Sequence, residues 1–136
     1  MIPCRRVSAA ARLLFTFAIG LAASASAQPA EGRTLVGRVS HVADGDSLTV
    51  TIDDERFRIR LHQIDAPERG QPGADAARRA LADKVDDRTV RVHVFTVDDY
   101  GRLVAGIGLG ERDINRELVR EGHAWVYRRY LEDPSR

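Results

Sequence analysis

The chain has 136 residues, with 21 Lys plus Arg against 20 Asp plus Glu and a single cysteine. This length allows one domain with a modest core and excludes two. The near balance of charge excludes a protein that coats nucleic acid with a uniformly basic surface, so any phosphate-binding site must be local.

The N-terminal segment has the pattern of a secretory signal peptide. Three arginines precede an apolar run over residues 13–23, and small residues follow at 25–27. A membrane anchor is the less favoured interpretation, because the run is well short of the ~20 residues that span a bilayer. We therefore expect residues 1–27, which include Cys4, to be removed. The mature protein would be periplasmic or secreted, with a net charge of −2, no cysteine and no stable membrane association.

The remaining sequence predicts a mainly β protein with helices, of the α+β class. A polar linker over residues 28–33 leads to segments whose apolar residues alternate, which predicts five strands: 34–43, 47–52, 56–64, 89–97 and 102–109. Helical spacing of apolar residues predicts helices at 74–85 and 113–121, the second with Asp113 as N-cap and Gly122 as its stop. Three strands, a helix, two strands and a helix fit a small five-stranded barrel of the oligonucleotide-binding (OB) type.

Carboxylates cluster where the first and third predicted strands end. Asp65 and Glu68 flank Pro67, whose fixed φ allows the two acidic side chains to point in different directions. Asp46 follows the first strand and is expected on the same rim of the barrel. Asp46, Asp65 and a neighbouring backbone carbonyl would make an oxygen-only site suited to Ca²⁺, and no His or Cys cluster suggests Zn²⁺.

Two arginines are expected to face these carboxylates. Arg60 lies five residues before Asp65 on the polar side of its strand, and Arg102 follows the turn at 98–101. Two arginines, a metal and a free glutamate suit attack of water on a phosphodiester, because the cations stabilise charge on the phosphorus oxygens while Glu68 activates the water. Each of these features also has an ordinary structural explanation. Asp44-Gly45-Asp46 could be a hairpin turn, the arginines could lie on a solvated strand face, and the segment at 99–102 could be a simple turn.

The stretch from about Val36 to Tyr130 resembles the staphylococcal nuclease (thermonuclease) family. The matching pieces, in the family's order and with similar spacing, are VADGDSLTV, IRLHQIDAPE, DDYGRLVA and DINRELVREGHAWVYRRY. The resemblance implies a five-stranded barrel with helices in a domain over residues 34–136, and Ca²⁺-dependent hydrolysis of DNA and/or RNA by a monomer. It departs from the family at Arg136, where a further C-terminal helix is expected and is apparently missing.

The resemblance also implies the metal ligands and the base. Carried over by position, Asp46 and Asp65 would hold Ca²⁺ together with the backbone carbonyl of Ala66. Glu68 would act as the general base.

The substrate contacts follow from the same correspondence. Arg60 and Arg102 would clamp the scissile phosphate, and Tyr100 and Tyr130 would line the nucleotide pocket. Another of the family's pocket tyrosines falls on Arg128, so base stacking there is expected to be weaker or replaced by an arginine face.

Two other function classes compete with a nuclease. A barrel that binds nucleic acid without cleaving it is one, although such modules usually lack the acidic or arginine side chains present here. The other rests on Gly45–Leu48, which matches the serine block of GDSL esterases. That mechanism needs a downstream Asp-x-x-His, and no histidine of this chain has an aspartate three residues before it.

Overall fold

The structure, a computed structural model, describes residues 29–127, and their alternating segments form a barrel of strands with two helices packed against it. The elements in chain order are β1 (Thr34–Val42), β2 (Ser47–Ile52), β3 (Glu55–Leu61), β4 (Ile64–Asp65), α1 (Ala74–Val85), β5 (Thr89–Val97), β6 (Leu103–Leu109), β7 (Arg112–Asp113), α2 (Ile114–Arg120) and β8 (Trp125–Val126).

The five longer strands close on themselves. Neighbours pair antiparallel in the order β3-β2-β1-β5-β6, and a parallel pairing of β3 with β6 completes the ring, with Arg60 opposite Val104. Short β7 extends the edge of β6, and β4 pairs with β8. The predicted five-stranded OB-type barrel with two helices is therefore confirmed.

Apolar residues from alternate strand positions fill the barrel, and one face of each helix covers it. Helix α1 buries Ala77, Leu81 and Val85, while α2 buries Ile114 and Leu118. Truncating a buried leucine of this kind to alanine costs about 2–5 kcal/mol, so these faces hold both helices against the barrel. Within residues 29–127, neither helix has the length and apolarity needed to cross a membrane.

The third strand ends earlier than the sequence predicts. We expected one strand over residues 56–64, but β3 stops at Leu61, and Gln63 has a φ of +59°, a left-handed conformation that interrupts extended backbone. The chain resumes as β4 at Ile64. This kink directs the carboxylate segment that follows toward the end of β3.

Both predicted ends of α2 are confirmed. The Asp113 side chain accepts a hydrogen bond from the Arg116 N–H at 3.0 Å, and Gly122 has a φ of +79°. The signal-peptide prediction and the residues expected at the C-terminus, including Tyr130, lie outside the described residues.

Candidate active site

The turn formed by Asp44, Gly45 and Asp46 is also packed closely against α1 and the segment after β4. A Cβ added at Gly45 would lie 2.6 Å from the Cβ of Ala77 in α1 and 2.8 Å from the Cβ of Ala66, so only glycine fits. This close approach lets the Asp46 carboxylate accept a hydrogen bond from the Ala66 N–H at 2.8 Å. Asp46 also accepts from the Ser47 hydroxyl at 3.1 Å. The loop after β1 is thereby tied to the segment after β4.

Arg60 lies between the carboxylates of Asp46 and Asp65. Its Nη1 is 3.1 Å from Asp46 Oδ2, and its Nη2 is 2.9 Å from Asp65 Oδ1. The same guanidinium donates to the carbonyl oxygen of Ile64 at 2.9 Å. Two of the acidic residues singled out in the sequence thus face one cationic group at the end of β3.

Burial gives Asp46 an unusual electrostatic position. It is 7% exposed and is the one buried charged residue in the part of the chain that the structure describes. Burial raises the pKa of its carboxyl from 3.8 to about 6, although the Arg60 charge and the Ala66 N–H hydrogen bond act in the opposite direction. Burial therefore disfavours the charged form of Asp46, and a cation beside it favours that form.

The chemistry of this corner fits a hard cation. Two carboxylates already converge on one positive group, and Ala66 follows Asp65 directly, so all the donors that the sequence predicts here are oxygens. Across residues 29–127, no three His, Cys, Asp or Glu side chains are grouped closely enough to form a metal cluster. A metal held here by Asp46 and Asp65 would compete with Arg60 for both carboxylates.

Arg102 is held by an aspartate that the sequence analysis treated only as part of a turn. Asp98 accepts hydrogen bonds from the Arg102 backbone N–H at 2.9 Å, from its Nε at 2.7 Å, and from the Tyr100 N–H at 2.9 Å. Burial alone would raise the pKa of Asp98, but these hydrogen bonds hold it below its usual value. The Arg102 guanidinium lies 5.5 Å from the Tyr100 ring centroid, and Arg58 donates to the Tyr100 carbonyl oxygen at 2.6 Å. The sequence signal for this contact was an aspartate four residues before an arginine across a turn.

Arg60 and Arg102 open onto one pocket of about 570 Å³. Tyr100 lines it, as the sequence predicts, and so does Tyr127, which the sequence analysis missed. The backbone N–H of Tyr127 donates to the Gln63 carbonyl oxygen at 2.9 Å, so the kink after β3 also places this tyrosine. The sequence signal for Tyr127 was the group of aromatic residues after α2, of which the sequence analysis named only Tyr130.

Glu68 is exposed in the loop between β4 and α1. Like Asp46 and Asp65, it is not among the residues that line the pocket. Gln71 braces the loop, because its side-chain oxygen accepts from the Glu68 N–H at 2.8 Å and its own N–H donates to the Glu68 carbonyl oxygen at 2.9 Å.

Asn115 in α2 is a second residue that the sequence analysis passed over. Its Nδ2 donates to the carbonyl oxygens of His62 at 3.1 Å and Ala105 at 3.4 Å, and its Oδ1 accepts from the Ile107 N–H at 3.1 Å. The side chain therefore joins α2 to β6 and to the end of the segment that carries Arg60. The sequence signal for this role was an uncharged amide among the charged polar residues of α2.

Comparisons with known proteins identify the family of this chain. The family described as "Staphylococcal nuclease homologue" matches residues 58–136. A protein named "Uncharacterized endonuclease" from Haemophilus influenzae is 37% identical over 98 residues, covering 71% of this chain and 55% of that protein. "Protein ParB" from Escherichia coli is 37% identical over 120 residues, covering 82% of this chain and 67% of that protein. "Micrococcal nuclease" from Shigella flexneri is 38% identical over 103 residues, covering 69% of this chain and 59% of that protein.

The chain thus spans between about half and two thirds of the length of these relatives. The family match covers more than half of the chain and includes the segment with both pocket arginines. The chain belongs to the staphylococcal nuclease homologue family.

Proposed function

We propose that this protein is a Ca²⁺-dependent nuclease that hydrolyses phosphodiester bonds in DNA and/or RNA. The observation that carries the proposal is the shared pocket of Arg60 and Arg102 beside the Asp46–Asp65 carboxylate pair. Relatives named as nucleases support the same reaction class. The pocket combines positive charge, which binds phosphate, with aromatic rings, which stack on bases.

In this proposal, Arg60 and Arg102 bind the nonbridging oxygens of the scissile phosphate and stabilise the charge that grows on them. Asp98 accepts from the Nε of Arg102, and this hydrogen bond aims the two terminal nitrogens toward the pocket. The Tyr100 and Tyr127 rings hold the adjacent nucleotide, with Tyr130 in the same role.

Asp46 and Asp65, with the carbonyl of Ala66, would hold the Ca²⁺. The ion would supply positive charge beside the phosphate and lower the pKa of a bound water. Once the carboxylates bind another cation, Arg60 no longer has to neutralise them, and its guanidinium becomes free to contact phosphate. Glu68 would take the proton from the attacking water, which requires its loop to approach the pocket when substrate binds.

A barrel that binds nucleic acid without cleaving it is the second candidate. This alternative is favoured because none of the proposed metal ligands and base, Asp46, Asp65 and Glu68, lines the pocket, and a general base must come within hydrogen-bond reach of the water. Binding of an oligonucleotide with no cleavage product under any metal condition would select it.

The test is a cleavage assay on single-stranded and double-stranded DNA and on RNA, with Ca²⁺ and then with excess chelator. We expect cleavage with Ca²⁺, loss of cleavage in chelator, and recovery when Ca²⁺ is restored. Arg102→Ala should lower kcat/KM by about 10²–10³. Arg56→Ala is the matched control, because Arg56 is an exposed arginine of β3 outside the pocket. Full activity in excess chelator would rule out the metal requirement.

We also propose that residues 1–27 direct export to the periplasm or the medium, on the strength of their charged start, apolar run and small-residue site. N-terminal sequencing of the protein from a cell fraction tests this. A protein that begins at Gln28 in the periplasm supports export, and an intact Met1 on cytoplasmic protein contradicts it.

A further inference from the structure

A second depression lies on the same outer face of the barrel, beyond the pocket. It has a volume of about 430 Å³, and its floor includes Gly106 and Gly108 of β6. Glycine weakens a strand interior and often marks a place where a ligand approaches the backbone closely. The Arg91 guanidinium lies over Gly108, because an added Cβ there would be 2.7 Å from its Nη2, whereas an added Cβ at Gly106 would meet Phe95 at an ordinary 3.6 Å. The part of the floor that can accept a ligand is therefore the end at Gly106.

Two aromatic rings, His93 and Phe95, line the depression, and the His62 ring contacts Phe95. Phe95 stacks on His62, with ring centroids 3.9 Å apart and planes at 18°, and meets His93 edge-on at 4.8 Å. We call His62, Phe95 and His93 the aromatic row. Phe95 is still 42% exposed despite both contacts, so a large part of its ring remains open to a further stacking partner.

A β-bulge projects Phe95 onto this face. In the pairing of β5 with β6, Val94 lies opposite Ala105 and Thr96 lies opposite Val104, so Phe95 is the extra residue. Bulges of this kind re-aim side chains beside functional sites. An added Cβ at Gly106 would lie 3.6 Å from Phe95, so the ring lies directly over the glycine floor.

The depression is continuous with the pocket. Val104 lines the pocket and Gly106 lines the depression, and these are successive outward residues of β6. Arg60 of β3 lines the pocket, and His62, which stacks on Phe95, follows directly after the last residue of that strand. Two residues of strand span roughly 7 Å, so Gly106 and the Phe95 ring above it lie about that far from the pocket lining at Val104.

The charges of the depression favour an uncharged, planar occupant. Arg112 is paired with Glu117 at 2.6 Å, and the Asp113 carboxylate caps α2. Arg91 also lines the depression, but its Nη2 donates to the Gly110 carbonyl oxygen at 2.6 Å, and the remaining lining carboxylate, Glu111, carries the opposite charge. A nucleobase fits such a site better than a phosphate, because the charges around it are already paired or balanced.

From these observations we infer that the aromatic row and the glycine floor of β6 form a subsite for an unpaired base of a single-stranded nucleic acid, adjacent to the scissile phosphate. Duplex bases are already stacked on one another, whereas an unpaired base can stack on Phe95. The inference rests on the proposed function for its substrate class, and it does not require that cleavage occur.

The test measures binding of a fluorescein-labelled octathymidylate with phosphorothioate linkages by fluorescence anisotropy, in chelator, with a dithymidylate as the short probe. Stacking of one base predicts that Phe95→Ala raises the Kd for the long probe roughly 5- to 100-fold. Phe95→Leu should show a similar loss, because it keeps apolar bulk without an aromatic face, and Phe95→Trp should restore binding. The effect on the short probe should be smaller.

Thr96→Ala is the matched control, because Thr96 is exposed on β5 and lies outside the depression. It should leave the Kd unchanged, and thermal melts should show every variant folded. Equal losses on both probes, full binding by Phe95→Leu, or a concentration-dependent dimer abolished by Phe95→Ala would each overturn the subsite. Wild-type binding with no cleavage in Ca²⁺ would refute the proposed nuclease and leave the subsite standing.

Discussion

Two clusters in this molecule place a cation between two carboxylates but have opposite character, and the cluster between the helices contains a second cation, Arg112. At the pocket, Arg60 lies 3.1 Å from Asp46 and 2.9 Å from Asp65. Between the helices, Lys84 of α1 lies 3.0 Å from Glu117 of α2 and 2.8 Å from Glu121 at its end.

The carboxyl pKa values separate the two clusters. Burial raises the pKa of Asp46 to about 6, whereas hydrogen bonds from Arg112 and Lys84 lower the pKa of Glu117 to about 2. The helix cluster therefore stabilises the charges it contains. The pocket cluster holds a carboxylate whose charge is costly, a state typical of sites kept for binding or chemistry.

The largest expected effect comes from removing the central cation of each cluster. Arg60→Ala should lower kcat/KM for DNA cleavage by about 10²–10³, because a phosphate contact is lost. Lys84→Ala should leave kcat/KM nearly unchanged and lower the free energy of unfolding by about 1–3 kcal/mol, since its pairs are only partly exposed. Steady-state kinetics and urea melts of both variants measure the two effects. Similar losses of activity in both variants would contradict the assignment of different roles to the two clusters.

Calcium should distinguish the clusters next. Ligand at about 100 times its Kd adds about 2.7 kcal/mol to stability by mass action. We expect Ca²⁺ to raise the melting temperature of the wild type and of Lys84→Ala, but not of Asp65→Asn. Differential scanning fluorimetry with Ca²⁺ against chelator measures this shift. If Ca²⁺ still raised the melting temperature of Asp65→Asn, the metal would have to bind elsewhere than at the pocket cluster.

Gly45→Ala should damage the pocket cluster by crowding. Its Cβ would lie 2.6 Å from Ala77 and 2.8 Å from Ala66, and overpacking of this kind costs about 1–3 kcal/mol. Displacement of Asp46 should also reduce cleavage. Gly106→Ala is the stability control, because its Cβ would meet Phe95 at an ordinary 3.6 Å. Equal melting temperatures for the two variants would contradict the packing argument.

The smallest effect is expected from acid at the helix cluster. The pKa of Glu117 falls from 4.5 to about 2 on folding, so its stabilisation is complete above about pH 4.5 and is lost as the pH falls toward 2. Glu117→Gln should flatten the dependence of unfolding free energy on pH across that window. Chemical denaturation at several pH values, with Asp75→Asn on the exposed side of α1 as control, tests this.

How far the sequence predicts this protein depends on the range of the interactions involved. Strand alternation, the Asp113 cap and the Gly122 stop depend on residues close in the chain, and the structure bears out these local features. The end of β3 was misplaced although the apolar alternation of Phe57, Ile59 and Leu61 breaks at Gln63, because one polar residue does not show that the backbone turns there. The kink is accompanied by contacts from distant segments, including the hydrogen bond from Tyr127.

The sequence by itself determined the barrel class, its helices and the family, because hydrophobic periodicity and motif spacing are properties of the linear chain. Only the tertiary structure decided which of the singled-out residues meet. The parallel pairing of β3 with β6 brings Arg60 level with Val104, and so places it beside Arg102 in one pocket. The same closure left Glu68 on an exposed loop and set Phe95 over the glycines of β6, since those positions depend on how distant strands come together in space.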